Sequence, residues 1–239
     1  MEDTAEEVTA RGGIGIGIRC DHAQERDVRK LGSATRRRSG RRDILVNNAF
    51  AGEEGRRKIE TYDGFPFWEH DFEEYWYRFF TGYLRSTLLT TFHSIPLMTK
   101  RKGGLIVNTL WWNRNRYLCD LFFDVASAGV GRMVYGLALE LKPRGISAVA
   151  VSPGWTRTER MTDVPPEILQ RKTQTPEYIG RAIVNLALDR RKLARTGRII
   201  EVGELAREYG FLDADPPARP PRAHLPPWSR SRRTCFGWS

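Results

Sequence analysis

A parallel α/β sheet covered by helices on both faces is the fold class that this sequence of 239 residues predicts. Three observations lead there. Short apolar runs recur at Ile44-Leu45-Val46, Leu105-Ile106-Val107, Ala148-Val149-Ala150-Val151 and Ile199-Ile200. They are continuous rather than alternating, as strands buried on both faces are. Between them lie stretches of helical length, so strand and helix take turns along the chain, which is the order of a parallel sheet.

The elements follow in order. Thr4 to Ala10 reads as the end of a helix, broken by Gly12-Gly13. Ile14, Ile16 and Ile18 alternate with Gly15, Gly17 and Arg19, which predicts a strand ending at Cys20-Asp21. Glu25 to Arg38 is a polar helix with few apolar positions (Val28, Leu31, Ala34). The strand Asp43-Ile44-Leu45-Val46 runs into Asn47-Asn48-Ala49, and Phe50 to His70 is a loop rich in glycine, proline and aromatics. Phe72 to Thr99 is a long helical region. Lys100 to Gly104 turns into the Leu105 strand, and a helix runs from Phe122 to Leu141. Ser147 to Val151 is the next strand, ending in Ser152-Pro153-Gly154. A loop, the helix Pro176 to Leu188 and a last strand, Gly197 to Val202, complete the core. Pro and Glu in the first turn suit the start at Pro176. Residues 1–212 are therefore expected to form one domain. Residues 213–239, with their Pro-Pro pairs and arginines, are expected to be a tail without a core of its own.

Composition bounds the function. Cys20, Cys119 and Cys235 are too few and too scattered for a disulfide framework or a zinc site. No unbroken run of about 18 apolar residues occurs, so no membrane span is expected. Met1-Glu2-Asp3 is not a signal peptide, and a cytoplasmic protein is the default reading. The net charge of +10 raises nucleic acid as a partner. The charge concentrates in 29–42, with seven basic residues and no acids, and in the tail. No nucleic-acid motif accompanies it. A solvated helix face plus a basic tail is therefore preferred to nucleic-acid binding.

Two stretches carry more specific information: Asp43-Ile-Leu-Val-Asn-Asn-Ala49 and Val151-Ser-Pro-Gly-Trp-Thr-Arg-Thr158. In this order and at this spacing, the chain from about Thr4 to Asp213 resembles the short-chain dehydrogenase/reductase family. The resemblance implies a Rossmann-like doubly wound parallel sheet, NAD or NADP as cofactor, and hydride transfer to or from a small-molecule carbonyl or alcohol. It aligns the Ile14 strand with the family's third strand. The first strand, the glycine loop, the first helix and the second strand then have no counterpart, and the strand at Ile44 is left with an open edge. The run Gly12-Gly-Ile-Gly-Ile-Gly17 does not replace the glycine loop, because Arg19-Cys20-Asp21 after it read as the end of a strand and not the start of a helix. By resemblance the remaining cofactor contacts are Asp21 at the adenine, Asn47 and Ala49 along the adenosine, and Pro153, Gly154 and Thr158 beside the nicotinamide.

The family's chemistry needs a tyrosine as acid/base, a lysine four residues on that lowers its pKa, a serine on the substrate carbonyl and an asparagine in the proton relay. None of the eight tyrosines here is followed four residues later by lysine. Aligned on Glu140-Leu141, the tyrosine position holds Phe123 and the lysine position Ser127. Trp111 falls at the serine position and Tyr83 at the asparagine position. Tyr117, in the run Trp111 to Tyr117, is a substitute acid without a lysine. Losing a positioned acid/base costs roughly 10²–10⁴ in rate. Four readings compete: a truncated, degenerate family member; a working but atypical oxidoreductase whose start is wrongly placed; a binding or dimerisation module using the helices at 72–99 and 124–141; and, least favoured, a nucleic-acid binder.

Overall fold

The computed structural model describes residues 2–50, 66–100, 102–112, 117, 120–158 and 173–215. Four strands form one parallel sheet in the order β1 (Ile44–Asn47), β2 (Gly104–Thr109), β3 (Ile146–Ser152) and β4 (Ile199–Glu201). The register pairs Leu45 with Ile106 and Asn47 with Asn108, then Ile106 with Ala148 and Asn108 with Ala150. All seven residues of β3 are buried. That is why its sequence is apolar or small throughout, with no alternation.

Among the described residues the longer helices are α1 (Glu2–Ala10), α2 (Glu25–Ser39), α3 (residues 72–98), α4 (Leu121–Leu141), α5 (Pro176–Leu188) and α6 (Val202–Tyr209). Period selects which face each buries. On α4, Phe122, Ala126, Val130, Val134, Ala138 and Leu141 recur every three or four residues and are all buried. On the α3/α4 side of the sheet lie Leu45, Ile106 and Ala148, packed with Met98 and Leu141. On the opposite side Leu105, Val107, Val149 and Val151 pack against Ala182 and Leu186 of α5 and Leu205 of α6. Gly131 allows α4 its close approach to β4, since a Cβ there would sit 2.9 Å from Ile199 Cδ1.

α3 is not a uniform helix. It runs as α-helix over Phe72–Tyr75, as π-helix over Trp76–Arg85 and as α-helix again over Ser86–Met98. The wider turns bring Phe79 and Tyr83, four residues apart, onto α4. α4 and the turn after it (Leu121–Arg144) are long and apolar enough to cross a membrane, although scattered polar residues interrupt the apolar run. The buried face of α4 is the one that packs on the sheet.

The predicted strand at Ile14–Cys20 does not form: residues 14–21 carry no strand. A strand exists only through its ladder, and alternation supplies the side-chain pattern without a partner. The segment instead folds back on α1. Gly13 N–H donates to Val8 O at 3.0 Å and Gly15 N–H to Thr9 Oγ1 at 3.2 Å. Gly15 passes so close that a Cβ would lie 1.9 Å from Ala5 O. At the other end, Asp213 is buried and its carboxylate accepts from Thr175 N–H at 3.0 Å. The rest of the expected tail, 216–239, lies outside the described residues, as does 51–65 of the expected loop.

Candidate functional site

Parallel sheets place their chemistry at the carboxyl ends of the strands. Here those ends are Asn47, Thr109, Ser152 and Glu201. The loop after β2 is held over β3 by Ser152, whose Oγ accepts from Trp112 N–H at 3.1 Å. This places Trp111 and Trp112 against the start of α4. The N-terminus of α4 is fixed by Asp120, whose carboxylate accepts from Phe123 N–H at 2.9 Å. Burial raises the Asp120 pKa, against hydrogen bonds from the Phe123 and Phe122 amides and the nearby His70 and Arg78 charges, which lower it.

Phe123 stands at the centre of an aromatic cluster. Its ring centroid lies 5.9 Å from Phe50, 5.5 Å from Phe79, 6.5 Å from Tyr83 and 6.2 Å from Trp111. Phe50 meets Tyr83 edge to face at 5.2 Å, a favoured arrangement for two rings. Phe79, Tyr83 and Phe123 are each no more than 6% exposed. The structure thus brings together the four positions singled out in the sequence: Tyr83, Trp111 and Phe123 pack as rings, and Ser127 lies one turn along α4, fully buried. Phe50 and Phe79 complete the cluster. Sequence reasoning missed both, although Phe50 directly follows the Asn-Asn-Ala turn and Phe79 is one helical turn before Tyr83.

Little in this cluster can move a proton. Tyr83 Oη donates to Thr109 O at 3.2 Å. Burial pushes its pKa well above the usual phenol value, opposite to what an acid/base tyrosine requires. The Ser127 hydroxyl lies close enough to draw that pKa slightly back down, yet it makes no hydrogen bond of normal geometry. Tyr117, the substitute acid, is 56% exposed and its pKa is also raised, by burial first and then by Asp120 and Asp124. Asn113 to Arg116, the rest of that loop's polar set, fall outside the described residues.

The expected cofactor contacts are dispersed among other tasks. Asp21 is exposed, and its carboxylate accepts from Ala23 N–H at 2.9 Å, capping a local turn before α2. Asn47 is buried, donating to Thr91 Oγ1 at 2.9 Å and to Asn108 Oδ1 at 2.8 Å. Its amide ties β1 to β2 and α3. Ala49 is exposed. Gly154 turns with φ +73°, and a Cβ there would touch the Gln174 side chain. Beyond Pro153 and Gly154 the chain pairs back on itself: Arg157 N–H donates to Gln174 O at 2.7 Å and Gln174 N–H to Trp155 O at 2.9 Å. Thr158 is exposed at the end of this turn. After Gly12–Gly17 the next helix begins only at Glu25, so that run is not a strand-to-helix phosphate loop. Among the described residues, Asn47 is committed to tying β1 to β2 and α3, and no glycine loop stands between a strand and a helix, so these residues do not form the family's complete dinucleotide site. No group of three or more metal-binding side chains occurs among the described residues.

A family model described as enoyl-(acyl carrier protein) reductase matches residues 1–203. The mouse dehydrogenase/reductase SDR family member 1 is 30% identical over 253 residues, spanning 100% of this chain and 79% of that protein. Its human counterpart is 30% identical over 235 residues, spanning 92% and 73%. Among solved structures, a short-chain dehydrogenase/reductase of Serratia marcescens superposes with TM-score 0.68 at 22% identity, covering 84% of this chain and 80% of that one. The hydroxysteroid dehydrogenase of Escherichia coli gives the same score, identity and coverage. The chain belongs to the short-chain dehydrogenase/reductase family, and its fold is that family's Rossmann-like α/β sheet.

Proposed function

We propose that this chain is a short-chain dehydrogenase/reductase scaffold that has lost the family's redox chemistry and now serves in binding or assembly. The observation that carries this reading is the ring cluster of Phe50, Phe79, Tyr83, Trp111 and Phe123. A substrate carbonyl and a nicotinamide ring need open space beside a proton donor. Here the space holds hydrocarbon, and the buried Tyr83 hydroxyl has its pKa shifted the wrong way. Residues 1–239 also contain no copy of the family's glycine loop, so their hold on NAD or NADP is weak or absent. Titrating the purified protein with NADH and NADPH by calorimetry tests this. No saturable heat is expected, and micromolar binding of either would sink the reading.

Assembly has support of its own. α3 and α4 turn Leu88, Phe92, Val125, Tyr135 and Leu139 outward, each 45–68% exposed. Such a row suits pairing with a second copy or with an intact relative. Sedimentation equilibrium should give a dimer that survives high salt; a monomer at all concentrations, alone and with an active relative, would remove this part. A second reading, an atypical oxidoreductase completed by residues encoded upstream of Met1, draws on the match to relatives named as dehydrogenases. An in-frame glycine loop in the upstream coding sequence would favour it, and a stop codon there would count against it.

A further inference from the structure

α1 is a helix without a visible task. None of its residues is buried. It carries Glu2, Asp3, Glu6 and Glu7 and no basic residue. The returning Gly13–Gly15 segment covers the side of α1 that bears Ala5, Val8 and Thr9. At 100° per residue Asp3, Glu6 and Glu7 fall on the remaining arc and face away from that cover, with Glu2 at its flank. Glu7 meets Arg11 at 3.9 Å, with both side chains out in solvent.

Elsewhere the opposite charge lines a groove. Between α2 and α3 lies an open cavity of about 320 Å³, bordered by Arg29, Ser33, Arg36, His93 and Pro96. Glu25 answers one of the cations, reaching Arg29 at 3.0 Å, and also meets His93 Nε2 at 3.2 Å. Arg36 has no acidic partner among the described residues, and Arg37 and Arg38 follow it. The groove therefore keeps a net positive rim beside a floor of glycine, proline and leucine.

We propose that the α2/α3 groove binds the acidic helix α1 of a second copy of this chain, with the exchange reciprocal. Sign decides the occupant. The Arg-rich stretch after Asp215 carries the wrong charge for the groove, whereas α1 carries Asp3, Glu6 and Glu7 facing out. A reciprocal exchange uses the same two surfaces on both copies and closes as a two-fold pair, so it does not run on into a fibre. Exposed ion pairs are individually weak and screened by salt, so the association is weak and salt-sensitive. Salt sensitivity separates it from pairing through the apolar row on α3 and α4, on which it does not depend.

Two charge-reversed forms of the full chain test it. One carries Ser33→Glu with Arg36→Glu, leaving the Glu25–Arg29 pair intact; the other carries Asp3→Lys with Glu6→Lys and Glu7→Lys, which turns the helix net positive. All five positions are exposed, so both forms should fold, as circular dichroism would verify. At low salt each form alone should self-associate at least about tenfold more weakly than the unmodified chain. Mixing the two restores opposite signs at both contacts and should restore association to near the unmodified level. Sedimentation reads all three. Unchanged association of either form alone would overturn the proposal, and so would a mixture that associates no better than its components. If instead a short DNA duplex binds the groove at low salt and displaces the second copy, the groove is a nucleic-acid surface and the proposal fails.

Discussion

At Phe123, which the resemblance aligns with the family's acid/base, a phenyl ring packs among other rings. Restoring the hydroxyl alone leaves it among Phe50, Phe79 and Trp111. Restoring the lysine at Ser127 puts an ammonium at a site with no exposure. An unpaired buried charge costs about 3–5 kcal/mol. The double change Phe123→Tyr with Ser127→Lys should therefore lower the unfolding midpoint in urea and yield no NAD(P)H oxidation; recovered turnover would show that the cluster is not the obstacle. Phe79 makes the complementary case. Its ring is 2% exposed and touches Phe50, Tyr75 and Phe123. Phe79→Ala should cost about 3–5 kcal/mol by denaturant unfolding.

Among the elements, the turn after α5 and the last helix are locked by charge. Arg195 Nε meets Asp189 Oδ2 at 3.1 Å, its Nη1 meets Glu208 Oε2 at 2.9 Å, and Tyr209 Oη donates to Asp189 Oδ2 at 2.8 Å. Burial alone would raise the Asp189 pKa. The Arg191 N–H, the Tyr209 hydroxyl and Arg195 outweigh it and hold the carboxyl at about 2. A folded pKa below the unfolded value of about 3.9 gives stability that is full above about pH 4 and fades as pH falls toward about 2. Thermal melts from about pH 5 to about pH 2 should show a steeper loss in the unmodified chain than in Asp189→Asn. Equal slopes would mean the carboxylate is not held in this way. The elements also mark where sequence reading succeeds and fails. β1, β2, β3 and α4 are legible because their burial is written in local runs. The strand at Ile14 is not, since its alternating pattern is present but no strand pairs with it among the described residues. The π-helical turns of α3 are illegible for a related reason: they answer to the fit of Phe79 and Tyr83 against α4, a contact between residues far apart in sequence. α6 is hard to read because it starts directly from β4, without a loop to announce it.

Over the whole molecule, β1 forms an outer edge of the sheet among the described residues. Ile44 is 46% exposed and Val46 41%, while Leu45 and Asn47 are buried. An apolar edge with free backbone groups invites pairing between molecules. Val46→Lys should slow aggregation on concentration, followed by light scattering, without lowering the melting temperature; unchanged aggregation would show that the edge is already covered. The sequence singles out Tyr83, Trp111, Phe123 and Ser127, and these four do come together in the fold. That the replacements pack on one another is not legible, because Phe50 and Phe79 reach the site only through the fold. On the proposed reading, this packing leaves no room for a substrate and a nicotinamide ring beside a proton donor. The most direct test is NAD(P)H oxidation by the purified chain across a panel of aldehydes and ketones, monitored by absorbance. A rate equal to the protein-free control is expected. Enzyme-dependent oxidation that falls when Tyr83 is changed to phenylalanine would contradict the loss of redox chemistry.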